Sequence, residues 1–170
     1  FLIGLVAIAT SFVVEILNSK LRKEKFDWTT FMVTPLIITL LTTPTIFSQV
    51  WMVAVATGFG VFFAKAIFGG EGKNIFNPAT VGLIFIAIAF PVYVNNFYDP
   101  VSATETTQTL ATIFKTNPAA IVDNYSISQI LLGNYAGAAG TTFKLGILIF
   151  GIVLIGLKIT NWRIPVYYLG

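Results

Sequence analysis

Residues 50–94 read VWMVAVATGFGVFFAKAIFGGEGKNIFNPATVGLIFIAIAFPVYV: two apolar runs, about 50–68 and 78–94, on either side of a polar, glycine-rich connection. Each run approaches the roughly 20 apolar residues with which a helix crosses the hydrocarbon of a bilayer. Working outward, Phe1 to about Leu17 forms another such run and ends in Lys20, Arg22, Lys23 and Lys25. Residues 28–47 form one more, interrupted by Pro35 and Pro44, each of which removes a backbone donor and predicts a kink or local unwinding. Beyond a long polar segment, Asn95–Thr142, a last run covers about Phe143–Ile159. The fold class expected is therefore all-α, a polytopic integral membrane helical bundle with about five transmembrane helices. The whole of 1–170 is read as one transmembrane domain with an extracytoplasmic loop at 95–142. Phe1 stands inside one apolar run and Gly170 at the start of what looks like another, so the chain is expected to be a fragment.

Composition excludes much chemistry. Among 170 residues 56% are apolar and 10% charged, against about 25% charge in soluble domains. Mean hydropathy is +0.84. With no Cys there is no thiolate metal site, iron–sulfur ligation or disulfide; with no His there is no His-based triad, proton shuttle or haem axial ligand. No carboxylates are paired for acid–base work, and no nucleophile has a base beside it. Neither a catalytic residue nor a metal site is assigned, and any redox work needs an organic cofactor or a partner chain. In an apolar chain the net charge of +3 signals topology rather than nucleic acid.

Cationic loops stay in the cytoplasm. That rule puts loops 19–27 and 69–77 inside, the uncharged Thr45–Gln49 connection outside, and 95–142 outside. Eight of ten Lys and Arg then lie inside, with Lys158, Trp162 and Arg163 as interfacial anchors. Within the outer segment Leu110, Ile113 and Phe114 share a helical face, as do Ile127, Ile130 and Leu131, which predicts two short surface helices. Glu15 and Lys65 lie within about a turn of the ends of their spans; snorkelling to the interface is the default expectation, an ion path the alternative.

Four features exceed generic membrane sequence. FGGEGKNIFNPATVG, Phe68–Gly82, offers Gly69, Gly70 and Gly72 for backbone that other residues resist, and Asn77 to cap a helix with Pro78 at its first position. It reads as a capped cytoplasmic turn or as a helix start open to an anion or carbonyl. DPVSATET, Asp99–Thr106, holds Thr104, a hydroxyl that a separate transferase could esterify because Ser102 and Ala103 beside it are small; it also reads as a plain polar loop. In LLGNYAGAAGTTF, Leu131–Phe143, Gly133, Gly137 and Gly140 permit close approach of a helix or a flat ligand, and Thr141 and Thr142 are candidate caps. NWRIP, Asn161–Pro165, marks a membrane boundary.

In order, FGGEGKNIFNPATVG with Asn74 and Asn77, an outer SAT, LGNYAGAAGTT and WRIP closely resemble the NqrB/RnfD family, nearer RnfD than NqrB, over roughly Glu15–Gly170. These are flavin-bearing membrane subunits of the sodium-pumping NADH:quinone oxidoreductase and of the Rnf ferredoxin:NAD oxidoreductase. The resemblance implies FMN carried through a phosphoester on the Thr of D-x-x-[ST]-x-A-T, here Thr104, installed by an extracytoplasmic flavin transferase. Asp99, Ser102 and Ala103 belong to that motif, although Asp99 lies five residues before Thr104 and Ser102 two, each one closer than the family pattern. The segment that holds Gly133, Gly137, Gly140 and Thr142 resembles the family's G-x-x-G-S-x-G-E-T-S, with Thr141 at its Glu and Phe143 at its final Ser, and with Gly133 one position before its first Gly. The family's domain has about ten spans, so about half of it is present here.

The function so implied is a membrane subunit of an ion-translocating redox complex, with no stand-alone catalytic activity. It carries electrons on covalent FMN and couples them to Na⁺ or H⁺ movement. A second, noncovalent flavin is compatible with this reading. Partners are the other membrane and peripheral subunits of an Rnf/Nqr-type complex, the flavin transferase and the lipid of a prokaryotic cytoplasmic membrane, but not nucleic acid. The alternative is a transporter or channel-like module without a redox role, which broken helices and a capped half-helix would suit.

Overall fold

The computed structural model describes residues 2–23, 25–26, 28–42, 50–70 and 72–169, with 93, 122 and 169 as backbone alone. Pro44 and the 45–49 connection lie outside the described residues. The chain is mostly helical, with one small hairpin. In order come α1 (Leu2–Arg22), α2 (Val33–Leu41), α3 (Val50–Phe59, continued as a π-helix over Gly60–Ala66), α4 (Pro78–Ala89), α5 (Pro91–Val94), β1 (Phe97–Asp99) and β2 (Thr104–Thr106). Then follow α6 (Leu110–Thr116), α7 (Ala119–Asn124), α8 (Ile127–Leu132), α9 (Ala139–Thr142), α10 (Lys144–Gly156) and α11 (Arg163–Leu169). Both expected surface helices are present as α6 and α8, with α7 between them. Each carries an N-terminal capping box, Thr109 with Thr112 and Ser126 with Gln129.

Among the described residues only α1, at 21 residues, is long and apolar enough to cross a membrane by length and composition; Val50–Ala66, Pro78–Ala89 and Lys144–Gly156 are shorter apolar helices. On α10, Ile147, Leu148, Ile149, Phe150, Ile152 and Val153 are all exposed, apolar around the whole circumference. A helix of this kind is stable only against lipid or more protein.

Helices α1 to α4 pack on one another around Ala7, Ile38, Val53, Ala56, Ala79 and Ile86. Small residues set how close they come. A Cβ at Gly82 would run into the Ala56 carbonyl, and one at Gly60 into the Pro78 carbonyl, so α3 and α4 cross backbone against backbone. Leucine at Gly82 is overpacking against main chain that cannot yield, at about 1–3 kcal/mol or more. Gly151 on α10 has open space around it. Thermal melts in detergent should therefore show a clear loss for Gly82→Leu and almost none for Gly151→Leu.

Pro35 departs from expectation. It lies in the first turn of α2, which begins at Val33, where its missing N–H has no intrahelical acceptor to lose, so it starts the helix and does not kink it. The broken geometry sits in α3 instead, where Ile67 N–H donates to Phe62 and Gly70 N–H to Lys65, each five residues back. Before α2 the chain folds onto α1 through Phe12, Phe26, Trp28 and Phe31, with ring centroids 4.9–6.1 Å apart.

Candidate functional site

Asp99 closes β1 and Thr104 opens β2, and the two are directly paired in the antiparallel register, as are Phe97 with Thr106 and Tyr98 with Glu105. Residues 100–103 make the turn. Asp99 Oδ1 accepts from Val101 N–H at 3.0 Å, an Asx turn that fixes the carboxylate against its own backbone. Ala103 takes a left-handed φ of 55°, tolerable for a side chain that is only a methyl group. Ser102 Oγ donates to Asp99 Oδ2 at 2.8 Å and lies 2.7 Å from Thr104 Oγ1. Ser102, Ala103 and Thr104 are all exposed. A secondary hydroxyl therefore stands at an accessible hairpin tip beside small residues, which is what esterification by an external enzyme needs. All four residues named for the motif are brought together.

The segment at 131–143 uses its glycines differently. Gly133, at φ 87°, ends α8, and a Cβ there would meet the Thr142 backbone at 2.8 Å; one at Gly137 would meet Thr142 Cγ2 at 2.9 Å, and one at Gly140 Leu40 Cβ at 2.7 Å. The close approach they permit is taken up by the chain itself, with α9 seated on α2. Thr141 and Thr142 are not caps of α10. They lie within α9 and donate to the Ala138 and Ala139 carbonyls, while Phe143 occupies the cap position with no side-chain bond. Tyr135 donates to the Thr142 carbonyl at 3.2 Å, and its ring lies under Lys144 Nζ.

The 69–78 turn matches expectation closely. Gly69, Gly70 and Gly72 have φ of 106°, 95° and 77°. Asn77 Oδ1 accepts from Ala79 and Thr80 N–H, Pro78 takes the first helical position, and Asn74 Nδ2 donates to the Phe76 carbonyl. At the far end Trp162 and Arg163 are exposed and stacked, with Cζ 5.9 Å from the ring centroid.

One constellation escaped the reading by residues. Lys65, 3% exposed, does not snorkel: its Nζ donates to Glu15 Oε1 at 3.0 Å, joining α3 to α1 across fifty positions of sequence. Ser11 Oγ lies 3.1 Å from the Phe31 carbonyl and 3.4 Å from the same carboxylate oxygen. Arg22 reaches from the end of α1 to the Ala66 and Ile67 carbonyls at 2.7 and 3.1 Å, capping the π-helix at the negative end of its dipole. Glu15 and Lys65 border a cleft of about 270 Å³ that Lys25, Phe26, Gly69 and Lys73 also line. The available signal was that Glu15 and Lys65 are opposite charges set in apolar runs. Among the described residues no group of acidic side chains could hold a metal ion.

The scaffold is helical with large exposed apolar faces and, among the described residues, one helix long and apolar enough to cross a membrane, features in keeping with a membrane-type helical protein. The chain belongs to the NQR2, RnfD, RnfE family, whose sequence profile matches residues 1–170. It is 36% identical over 155 residues to a Na⁺-translocating NADH-quinone reductase subunit from Stutzerimonas stutzeri strain A1501, covering 88% of this chain and 37% of that protein. The corresponding subunit in Chromohalobacter salexigens is 37% identical over 136 residues, 79% of this chain and 33% of the relative. That of Pseudomonas aeruginosa strain LESB58 is 34% identical over 164 residues, 91% and 40%. The chain thus spans some two fifths or less of each of these relatives.

Proposed function

We propose that the chain is the flavin-carrying membrane subunit of an ion-pumping redox complex of the Nqr or Rnf kind, with Thr104 as the attachment point for FMN. The observation that carries this reading is the Asp99–Ser102–Thr104 hydrogen-bonded set, with Ser102 and Thr104 exposed, at a hairpin tip in a member of this family. Thr104 would hold the group through its phosphate, and Ala103 would leave room for it. When attached, the flavin supplies the electron-carrying chemistry that the side chains of a Cys-free, His-free chain lack.

The helices are read as a domain crossing a prokaryotic cytoplasmic membrane about five times, with 95–142 outside, Na⁺ or H⁺ as the coupled ion, and the remaining subunits and a flavin transferase as partners. Trp162 and Arg163 anchor its last boundary. Intramembrane ionisable residues that face a bundle interior commonly line ion paths, which gives the buried Glu15–Lys65 pair a place in coupling.

The test is in-gel flavin fluorescence of the denatured chain after co-expression with a competent flavin transferase. A band supports the carrier reading. Its absence favours the transporter alternative, to which the π-helix and the capped start of α4 would also be suited. Orientation is checked separately, because the chain has no native Cys. Cysteine placed at the exposed Gln108 should react with an impermeant maleimide in intact cells, and cysteine at the exposed Lys73 only after lysis. The reverse pattern would overturn the topology and with it access of the transferase to Thr104.

A further inference from the structure

We propose that Asp99 and Ser102 form a relay that orients and polarises the Thr104 hydroxyl for attack on phosphorus, a positioning role that rests on the reading of Thr104 as the flavin attachment point. Hydrogen bookkeeping sets its direction. An ionised carboxylate only accepts, so Ser102, with one hydroxyl hydrogen, spends it on Asp99 Oδ2. The 2.7 Å contact between Ser102 and Thr104 then leaves Thr104 as the donor. Its hydrogen points inward along the relay and its lone pairs face outward, toward an incoming electrophile.

Two features make the arrangement built rather than incidental. Directly opposed residues of an antiparallel pair project on the same face, so the Asp99–Thr104 register brings carboxylate and hydroxyl to one side of the hairpin. The Asx turn to Val101 occupies Oδ1 and leaves Oδ2 for Ser102.

In the reaction, Thr104 Oγ1 bonds to the phosphorus of a flavin nucleotide whose phosphate is held in an anhydride to a second phosphate. The anhydride P–O bond breaks, and the leaving phosphate keeps the electron pair. The Thr104 proton passes to Ser102 Oγ as the Ser102 proton passes to Asp99, which returns it to water. Nothing is oxidised or reduced.

The test uses the full chain in detergent as the substrate of a flavin transferase with a flavin dinucleotide, following covalent label by in-gel fluorescence. In Asp99→Asn the side chain has one accepting oxygen for two donors, so either Val101 or Ser102 loses its acceptor. Its kcat is expected to fall about a hundredfold, the usual scale of proton-transfer assistance, with KM for the chain unchanged. Ser102→Ala should match it, and Ser102→Thr, which keeps the hydroxyl, should recover most of the rate. Loss through KM alone would mean that these residues serve only recognition by the transferase, and unchanged kinetics in both variants would mean that they serve nothing here; either overturns the relay. If the wild type is labelled, Thr104→Val is not, and Asp99→Asn keeps its kcat, the relay fails and the attachment site stands. An unlabelled wild type brings down the attachment site itself.

Discussion

Thr104→Val removes all covalent flavin from the denatured chain, while the protein accumulates and melts as the wild type does. The two residues are nearly the same size and both favour strands, so the β1–β2 pairing, in which Thr104 faces Asp99, keeps its backbone bonds. Only the hydroxyl is lost. It is hydrogen-bonded to Ser102, which is exposed and can turn to water, so folding should change by less than about 0.5 kcal/mol. Function changes completely, because a chain without Cys or His has no thiol or imidazole to take over the redox work of the lost flavin. Mass spectrometry of the proteolytic peptide between Lys73 and Lys115 gives an answer independent of fluorescence. A flavin mass that persists on this peptide in the variant would move the attachment elsewhere, and Ser102, Thr106 and Thr107 are the hydroxyls near enough to test next.

The site was legible where chemistry is written locally. The Asn77–Pro78 helix start and the left-handed glycines of the 69–72 turn each depend on residues within a few positions of one another, and residue type at short range determines the backbone. The β1–β2 hairpin, by contrast, was expected only as a polar loop in an all-α fold, because three-residue strands in a Thr-rich stretch carry too little alternation to be read. The surface helices were legible from apolar residues three and four positions apart, Leu110 with Ile113 and Phe114 and Ile127 with Ile130 and Leu131; their capping boxes, also local, went unread. Where the outcome depended on partners distant in sequence, reading failed. Pro35 looked like a helix breaker because an apolar run alone does not say where within it a helix begins. Thr141 and Thr142 looked like caps of α10, but a separate short helix, seated on α2 by Gly140 against Leu40, had absorbed them. The π-helix at Gly60–Ala66 has no local signature; it lies where Gly60 backs onto the Pro78 carbonyl and Arg22 caps the far end from another helix.

Lys65→Met should cost the most stability of any single change here. The ammonium is 3% exposed and its carboxylate partner 12%, so water can do little to replace either when the other is removed. Breaking a buried pair by deleting one member typically costs about 3–5 kcal/mol, because the remaining charge is stranded. The stranded group would be Glu15, still within 3.4 Å of Ser11 Oγ but with that hydroxyl also claimed by the Phe31 carbonyl. The loss should appear as a large drop in the detergent melting temperature and in the amount of protein reaching the membrane. The informative comparison is the double variant Glu15→Gln, Lys65→Met. With no charge left to strand, it should regain most of the lost stability, since a buried pair replaced as a whole is often neutral or better. If it does, the pair is not retained for stability, and its place between α1 and the π-turn of α3 requires another reason. In that event the double variant should fold and take up flavin normally yet pump fewer ions per electron in the assembled complex. Equal pumping would show instead that the charges have no part in coupling.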